Sequence, residues 1–271
     1  MTGQRLFSIP LRRPRRWQSS ACLASWCACG RPTSWATSPL RLEDVAPDGR
    51  VALVTGALRN GAFRHDRLRP APLAPDEWFD LYATLHATTW VVQPGHRLRL
   101  AIATAQFPMA WPSPERRSAW VHTGPASRLE LPTVPVDAGE PVRLPPSEPR
   151  AARPDARRLS AETTPPRAIH RGDTTIYVMQ SSTSYVIGST RIAYEEAETY
   201  RVRDAAPGFS SFRGVASHQI QHGARRVRLE TTMDVRSTPD SFAISVRRVL
   251  HENGREVRDR TWSEVVPRRY H

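Results

Sequence analysis

Few residues of this 271-residue sequence stand at spacings that chemistry demands. A serine nucleophile of the α/β kind needs Gly-x-Ser-x-Gly at a strand-to-helix elbow, which exposes the hydroxyl beside backbone oxyanion donors. The nearest approach is Gly208-Phe209-Ser210-Ser211-Phe212, which lacks the closing glycine and precedes no helical pattern. It reads as a loop. His218 and His222 are four apart, the separation of two metal ligands on one helix face. Their surroundings alternate as a strand does, and there i and i+4 share a face but lie about 13 Å apart. No glutamate stands between them, so they read as a solvated strand face. Cys22, Cys27 and Cys29 lack the paired C-x2-C spacing of structural zinc and have no histidine nearby. His96, in Pro94-Gly95-His96-Arg97, follows a turn that it packs on or caps. A catalytic role would need an acid and a nucleophile to converge on it. Glu195, Glu196 and Glu198 form a charge run, most simply a solvated strand edge. The expectation is a chain with no catalytic residue, no cofactor and no metal of its own.

Charge is the other resource. All 39 basic residues are arginine, against 26 acids, for a net charge of +13. Residues 1–40 hold six arginines, including the cluster Arg12, Arg13, Arg15 and Arg16, and no acid. They also hold all three cysteines and Trp17, Trp26 and Trp35. Three readings of this head compete: a basic arm for nucleic acid or an anionic surface, a secretory signal with a short apolar run over 21–30, or the product of arginine-rich coding DNA read out of frame upstream of about Leu40. On the last reading the head is disordered or misread, and reading the genomic DNA in its other frames tests it. Arg225-Arg226-Val227-Arg228 could touch nucleic acid, but the aromatic interleaving of a stacking platform is missing there. No specific nucleic-acid partner is expected.

The elements that must position these residues are strands. Proline (25) outnumbers glycine (14), which argues against long helices. No stretch approaches the roughly 20 apolar residues of a membrane-spanning helix, three cysteines are too few for a disulfide-stapled fold, and a cytoplasmic location is expected. Residues 41–46 and 50–58 flank Pro47-Asp48-Gly49, a hairpin signal. Residues 78–92 form a long β-prone run ending at Gln93-Pro94-Gly95. Leu98, Leu100 and Ile102 then share one face, with Arg97 and Arg99 on the other. Phe107-Pro108 and Trp111-Pro112-Ser113-Pro114 mark a loop, and Val121 and residues 128–134 read as short strands. Residues 137–172 carry seven prolines and read as a linker or strap.

Strands resume over 175–180 and 185–202. Residues 224–237 alternate most cleanly, with Val227, Leu229, Thr231, Met233 and Val235 on one face. Phe242, Ile244 and Val246 repeat the pattern. Asn253-Gly254 predicts a two-residue hairpin that sets Leu250 opposite Val257, Arg248 opposite Asp259 and Arg247 opposite Arg260. Trp262 and Val266 close the last strand. The expected class is all-β: packed antiparallel sheets forming a β-sandwich. Its parts are a head over 1–39, a first sandwich part over 40–136, a Pro/Arg-rich strap over 137–172, and a second β part over 173–271 that completes the sandwich or packs on it.

Several segments resemble one family. They are residues 41–49 (Arg-Leu-Glu-Asp-Val-Ala-Pro-Asp-Gly), Thr55-Gly56-Ala57-Leu58-Arg59, residues 92–100 (Val-Gln-Pro-Gly-His-Arg-Leu-Arg-Leu) followed by Phe107-Pro108, and Ser127-Arg128-Leu129-Glu130-Leu131-Pro132. Their order and spacing are similar to the C-terminal domain of the X-Pro dipeptidyl-peptidase and cocaine-esterase-like (CocE/NonD) serine hydrolases. Asn253-Gly254, Arg260-Thr261-Trp262 and Val266-Pro267-Arg268 are similar to the tail of longer bacterial members. The resemblance covers residues 39–271. It implies an antiparallel, jelly-roll-like β-sandwich of the galactose-binding kind that packs on an α/β-hydrolase domain, and a parent that cleaves esters, amides or proline-ending dipeptides. The hydrolase domain and its triad are absent from this sequence, so no catalytic residue carries over, and the first jelly-roll strand before Arg41 reads as missing or scrambled. The implied partner is that hydrolase domain. A severed sandwich would expose its docking face and self-associate. The alternatives are a free-standing binding module for carbohydrate, protein or nucleic acid, and a product with no function of its own.

Overall fold

The computed structural model describes residues 5–10, 16–17, 21–29, 37–74, 77–116, 118–123, 127–134 and 156–269, with backbone alone for 5–10, 16–17, 21–29 and 133–134. Its strands are β1 (Arg5–Pro10), β2 (Arg16–Trp17), β3 (Ala21–Cys29), β4 (Thr37–Val45), β5 (Val51–Asn60), β6 (Trp78–Thr84), β7 (Arg97–Ile102), β8 (Ser118–Val121), β9 (Arg128–Glu130) and β10 (Thr133–Val134). They continue with β11 (Ala156–Arg171), β12 (Thr174–Ile187), β13 (Thr190–Arg203), β14 (Ser211–His222), β15 (Arg225–Ser237), β16 (Ser241–Glu252) and β17 (Arg255–Pro267). The chain divides into two compact units, residues 1–113, 117–142 and 269–271 in one and 114–116 and 143–268 in the other.

The first unit is a β-sandwich. One antiparallel sheet has the order β1-β7-β4-β5, and the other has β6-β3-β8 with β9 also on β3. Alternation drives their packing. Leu98, Leu100 and Ile102 of β7 and Leu40 and Leu42 of β4 turn inward onto Leu81 and Ala83 of β6, with Leu85 and Val92 closing the layer. Each fully buried leucine contributes about 1.5–3 kcal/mol over an exposed one. Between β4 and β5, Gly49 takes φ +87° and the Asp48 carboxylate accepts the Arg50 N–H at 3.0 Å, so the expected hairpin forms.

The long run 78–92 stops being a strand at Thr84. There the chain leaves one sheet for the other. The His86 N–H donates to the Gly56 carbonyl at 3.0 Å and its carbonyl accepts the Thr55 hydroxyl at 2.7 Å, which satisfies the crossing backbone outside any ladder.

Strands are described within the head as well. β3 lies between β6 and β8, and β1 pairs with β7 in full register from Arg5↔Ile102 to Pro10↔Arg97, so β4 and β7 are paired on both sides. No edge is left open where the missing first strand was inferred. Composition spoke to the coding origin of these residues, whereas a ladder needs only main-chain donors and acceptors in extended form.

The second unit is one seven-stranded antiparallel meander, β11 to β17 in sequence order. The strands of residues 173–271, expected to complete the sandwich or pack on it, pair among themselves and with β11. Part of the expected strap is a strand: residues 156–171 form β11, and Pro165-Pro166 fall where its register slips between Thr164 and Arg167, at the sheet edge where prolines are tolerated. The rest of the strap, 137–155, lies outside the described residues. The run 185–202 is cut by a turn at Gly188-Ser189, with Gly188 at φ +56°. No described helix is long and apolar enough to cross a membrane.

The sandwich core should dominate stability. Leu42→Ala, at a wholly buried position, is expected to destabilise by about 2–5 kcal/mol. Leu53→Ala, at a position 60% exposed, should stay within about 0.5 kcal/mol in urea unfolding followed by circular dichroism.

Candidate functional site

The most concentrated polar cluster of the sandwich sits where β4 ends and β7 begins. Glu43 and Asp44 are both buried, against the usual tendency of carboxylates. Burial is tolerable because every oxygen has a partner. Asp44 Oδ2 accepts the Trp90 indole N–H at 2.8 Å and Oδ1 accepts from His96 Nδ1 at 2.8 Å. Glu43 Oε2 accepts Arg99 Nε at 2.6 Å across the β4–β7 ladder, and Arg41 Nε lies 3.5 Å from Oε1. An acid therefore does converge on His96, and the turn holds it, with the His96 N–H donating to the Gln93 carbonyl at 3.1 Å. No described serine, threonine or cysteine hydrogen-bonds the imidazole. The pair orients the strand ends and lacks the third group that acyl transfer needs.

The other candidates are dispersed. Ser210 is buried in the β13–β14 loop, its hydroxyl donating to the Pro207 carbonyl at 2.8 Å and its N–H to Ser237 Oγ at 3.1 Å. It serves as a loop clasp. His222 Nδ1 meets Thr190 Oγ1 at 2.8 Å, while His218 stands edge-on to Tyr194 with 4.8 Å between rings. The glutamate run lies in β13, an interior strand, and not at an edge. Glu196 accepts the Ser181 hydroxyl at 2.6 Å, and Glu198 accepts the Tyr200 hydroxyl at 3.0 Å. Burial first, and then Glu198, push the Tyr200 phenol up to about 12. The Arg225-to-Arg228 run is largely neutralised, Arg225 by Glu252 at 2.7 Å and Arg228 by Glu230. Cys22, Cys27 and Cys29 have described backbone only.

On the second unit, a shallow concavity of about 420 Å³ is lined by Glu162, Ser182, Glu195, Ser217 and Glu230, which form one cross-strand row. His251 Nε2 lies 3.1 Å from Glu230 Oε2, but the buried Ser217 hydroxyl has no hydrogen-bond partner, so no relay joins serine to imidazole. Among the described residues no three His, Cys, Asp or Glu side chains are grouped to hold a metal ion.

One feature of the sandwich was invisible in the sequence. Trp78 of β6 and Trp120 of β8 both register with Cys27 of β3, from opposite sides, and Tyr82 lies four residues along β6 from Trp78, past Asp80, on the same outer face. Trp78, Trp120 and Tyr82 are each about half exposed (51%, 54% and 50%). The signal was present as alternation within β6, but 42 positions separate the two tryptophans.

Comparison with models of protein families matches residues 36–187 to the X-Pro dipeptidyl-peptidase C-terminal non-catalytic domain. No curated protein matches the sequence. Similar solved structures include an aminopeptidase from the marine sediment archaeon Thaumarchaeota archaeon, 19% identical with a TM-score of 0.45 over 49% of this chain and 26% of that one. An α-amino acid ester hydrolase is 20% identical, TM-score 0.44, over 48% and 25% of the two chains. A CocE/NonD family hydrolase from Staphylococcus aureus is 10% identical, TM-score 0.41, over 49% and 30%. This chain thus matches about a quarter of the length of the first two.

Two outcomes follow from the polar contacts. Asp44→Ala orphans the donors of Trp90 and His96 and should cost about 1–3 kcal/mol for each one left unpaired, read by thermal unfolding. Tyr200, raised in the folded state, adds stability in full below its unfolded value near 10 and loses it as pH climbs toward 12. Ultraviolet titration of tyrosinate should show a component near pH 12 that Tyr200→Phe abolishes.

Proposed function

Because this chain belongs to the X-Pro dipeptidyl-peptidase C-terminal non-catalytic domain family, we propose that it serves in the cytoplasm as the non-catalytic β-sandwich portion of an acyl hydrolase of the dipeptidyl-peptidase or esterase kind, whose nucleophile is supplied by a separate α/β-hydrolase domain. The observation that carries the docking role is the exposed aromatic face of Trp78, Tyr82 and Trp120. A sheet face with three half-exposed aromatic rings matches the composition of interface centres, where tryptophan and tyrosine are enriched and carry most of the binding energy. Trp78 also stacks edge-on with His122, 6.0 Å between rings, so part of the face is ordered in advance of a partner. The buried Glu43–Arg99 and Asp44–His96 pairs fit this reading too, since they tie the end of β4 to the start of β7.

Purified chain alone should not turn over Xaa-Pro p-nitroanilides or p-nitrophenyl esters. Mixed with an α/β-hydrolase domain of the same family, it should co-elute in gel filtration. Trp78→Ala with Trp120→Ala should abolish co-elution while shifting the chain's own stability by no more than about 0.5 kcal/mol, as exposed substitutions do. Turnover by the chain alone, proportional to its concentration through purification, would overturn the proposal.

A further inference from the structure

The β16–β17 hairpin builds a cationic surface that the docking role leaves unused. The turn forms as expected, with Asn253 at φ +50° and Gly254 at φ +83°. Just beyond it the register slips between Leu250 and His251: His251 faces Glu256, Leu250 faces Arg258, and Val257 is left over. Every later pair therefore shifts by one from the expected register. Arg248 falls opposite Arg260, Arg247 opposite Thr261 and Val246 opposite Trp262.

Alternation then sorts β17 by face. Asp259 turns to the face of Arg247 and pairs with it, Nε to Oδ1 at 3.0 Å, which holds the Asp259 carboxyl below its usual range. Arg258, Arg260 and Trp262 turn to the other face, beside Arg248. The slip thus removes the one acid that the simpler register would have set opposite Arg248. Like charges directly opposite across a ladder are unfavourable, yet no ion pair among the described residues involves Arg248, Arg258 or Arg260, and all three are exposed. Other acids on this face are remote or engaged. Glu264 is four residues from Arg260, about 13 Å along the strand, and Glu252 pairs with Arg225. Trp262 is 45% exposed, and the Arg260 guanidinium lies over its ring, 5.4 Å from the centroid.

We propose that this face of the β16–β17 hairpin binds single-stranded nucleic acid, with phosphates on Arg248, Arg258 and Arg260 and a base stacked on Trp262. Arg248 lies directly opposite Arg260, and Arg258 is two residues from Arg260 on the same face, so three guanidiniums without an acidic partner can meet a row of phosphates. The exposed indole beside them supplies the stacking surface that Arg225 to Arg228 lack. An unpaired strand, whose bases are free to stack, can meet an exposed indole more readily than a duplex can.

The test is fluorescence anisotropy of the full chain with a labelled 20-mer of deoxythymidine over a salt series. Three phosphate contacts predict a slope of log K against log salt of roughly −2, at about 0.7 per contact for single strands. Changing Arg248, Arg258 and Arg260 together to glutamine should remove that part of the slope. Trp262→Ala should weaken binding roughly five- to a hundredfold with the slope unchanged. Arg248→Gln alone should weaken binding while leaving the unfolding midpoint equal or higher, since it relieves a like-charge pair. The proposal is overturned if the triple variant binds as the parent does, if only changes at Arg12, Arg13, Arg15 and Arg16 abolish binding, or if anionic phospholipid vesicles bind more tightly than the oligonucleotide and Trp262→Ala has no effect. None of these outcomes bears on docking of a hydrolase domain, which lies on the first unit.

Discussion

Burial of the inward faces of β4 and β7 against β6 is the interaction on which the sandwich rests. Leu40, Leu42, Leu98, Leu100 and Ile102 on one sheet meet Leu81 and Ala83 on the other, and the strands carrying them also bear two acids, Glu43 and Asp44, inside the structure. An unpaired carboxylate there would be costly enough to undo much of the hydrophobic gain. Arg99, His96 and Trp90 remove that penalty, and in doing so fix the turn after residue 92 and the start of β7. The charged cluster that most suggests catalysis is thus a condition of the fold. Removing it would be felt as lost stability.

The second unit is stabilised differently. Among the described residues of this unit no second sheet covers the first, and the side chains are mostly half exposed on both faces. What remains is continuous main-chain pairing over long strands, together with cross-strand pairs. Tyr177, Tyr200, Phe212, Val235 and Ile244 form one row across five strands, with 4.7 Å between the Tyr200 and Phe212 rings. Arg213–Asp234 and Arg247–Asp259 pair on the other face. Exposed ion pairs are worth little singly, so the aromatic row and the ladders carry the unit. Such a sheet exposes large areas of both faces, and the two differ in charge at the β16–β17 hairpin. The face of Arg247 is balanced by Asp259, while the face of Arg248 is not.

Local pattern was legible where one rule acts alone. Period-two alternation placed β7, β15 and β16, and Pro47-Asp48-Gly49 and Asn253-Gly254 placed two hairpins, because positive φ at those positions is a property of a few residues and needs no distant partner. The order of motifs from Arg41 to Pro132 also carried the family. Ser210 as a loop residue and His218 and His222 as separate strand positions were readable for the same reason. Illegible were the Asp44–Trp90–His96 cluster and the Trp78–Trp120 face, since their members are brought together only by which strands become neighbours.

The sequence by itself determined that the chain is all-β, where most of its strands turn, and that no serine elbow is present, for these follow from residue type and short spacing. Tertiary structure alone decided which strands pair. It set β3 between β6 and β8, gave β11 to a sheet where the prolines suggested a strap, and left Val257 out of register so that Arg248 meets Arg260 and not Asp259. The reason is that pairing is settled by the sum over a whole sheet. One slipped residue lets Trp262 meet Val246, Val266 meet Phe242 and Asp259 reach Arg247, and those gains outweigh a local rule that favours the simplest hairpin.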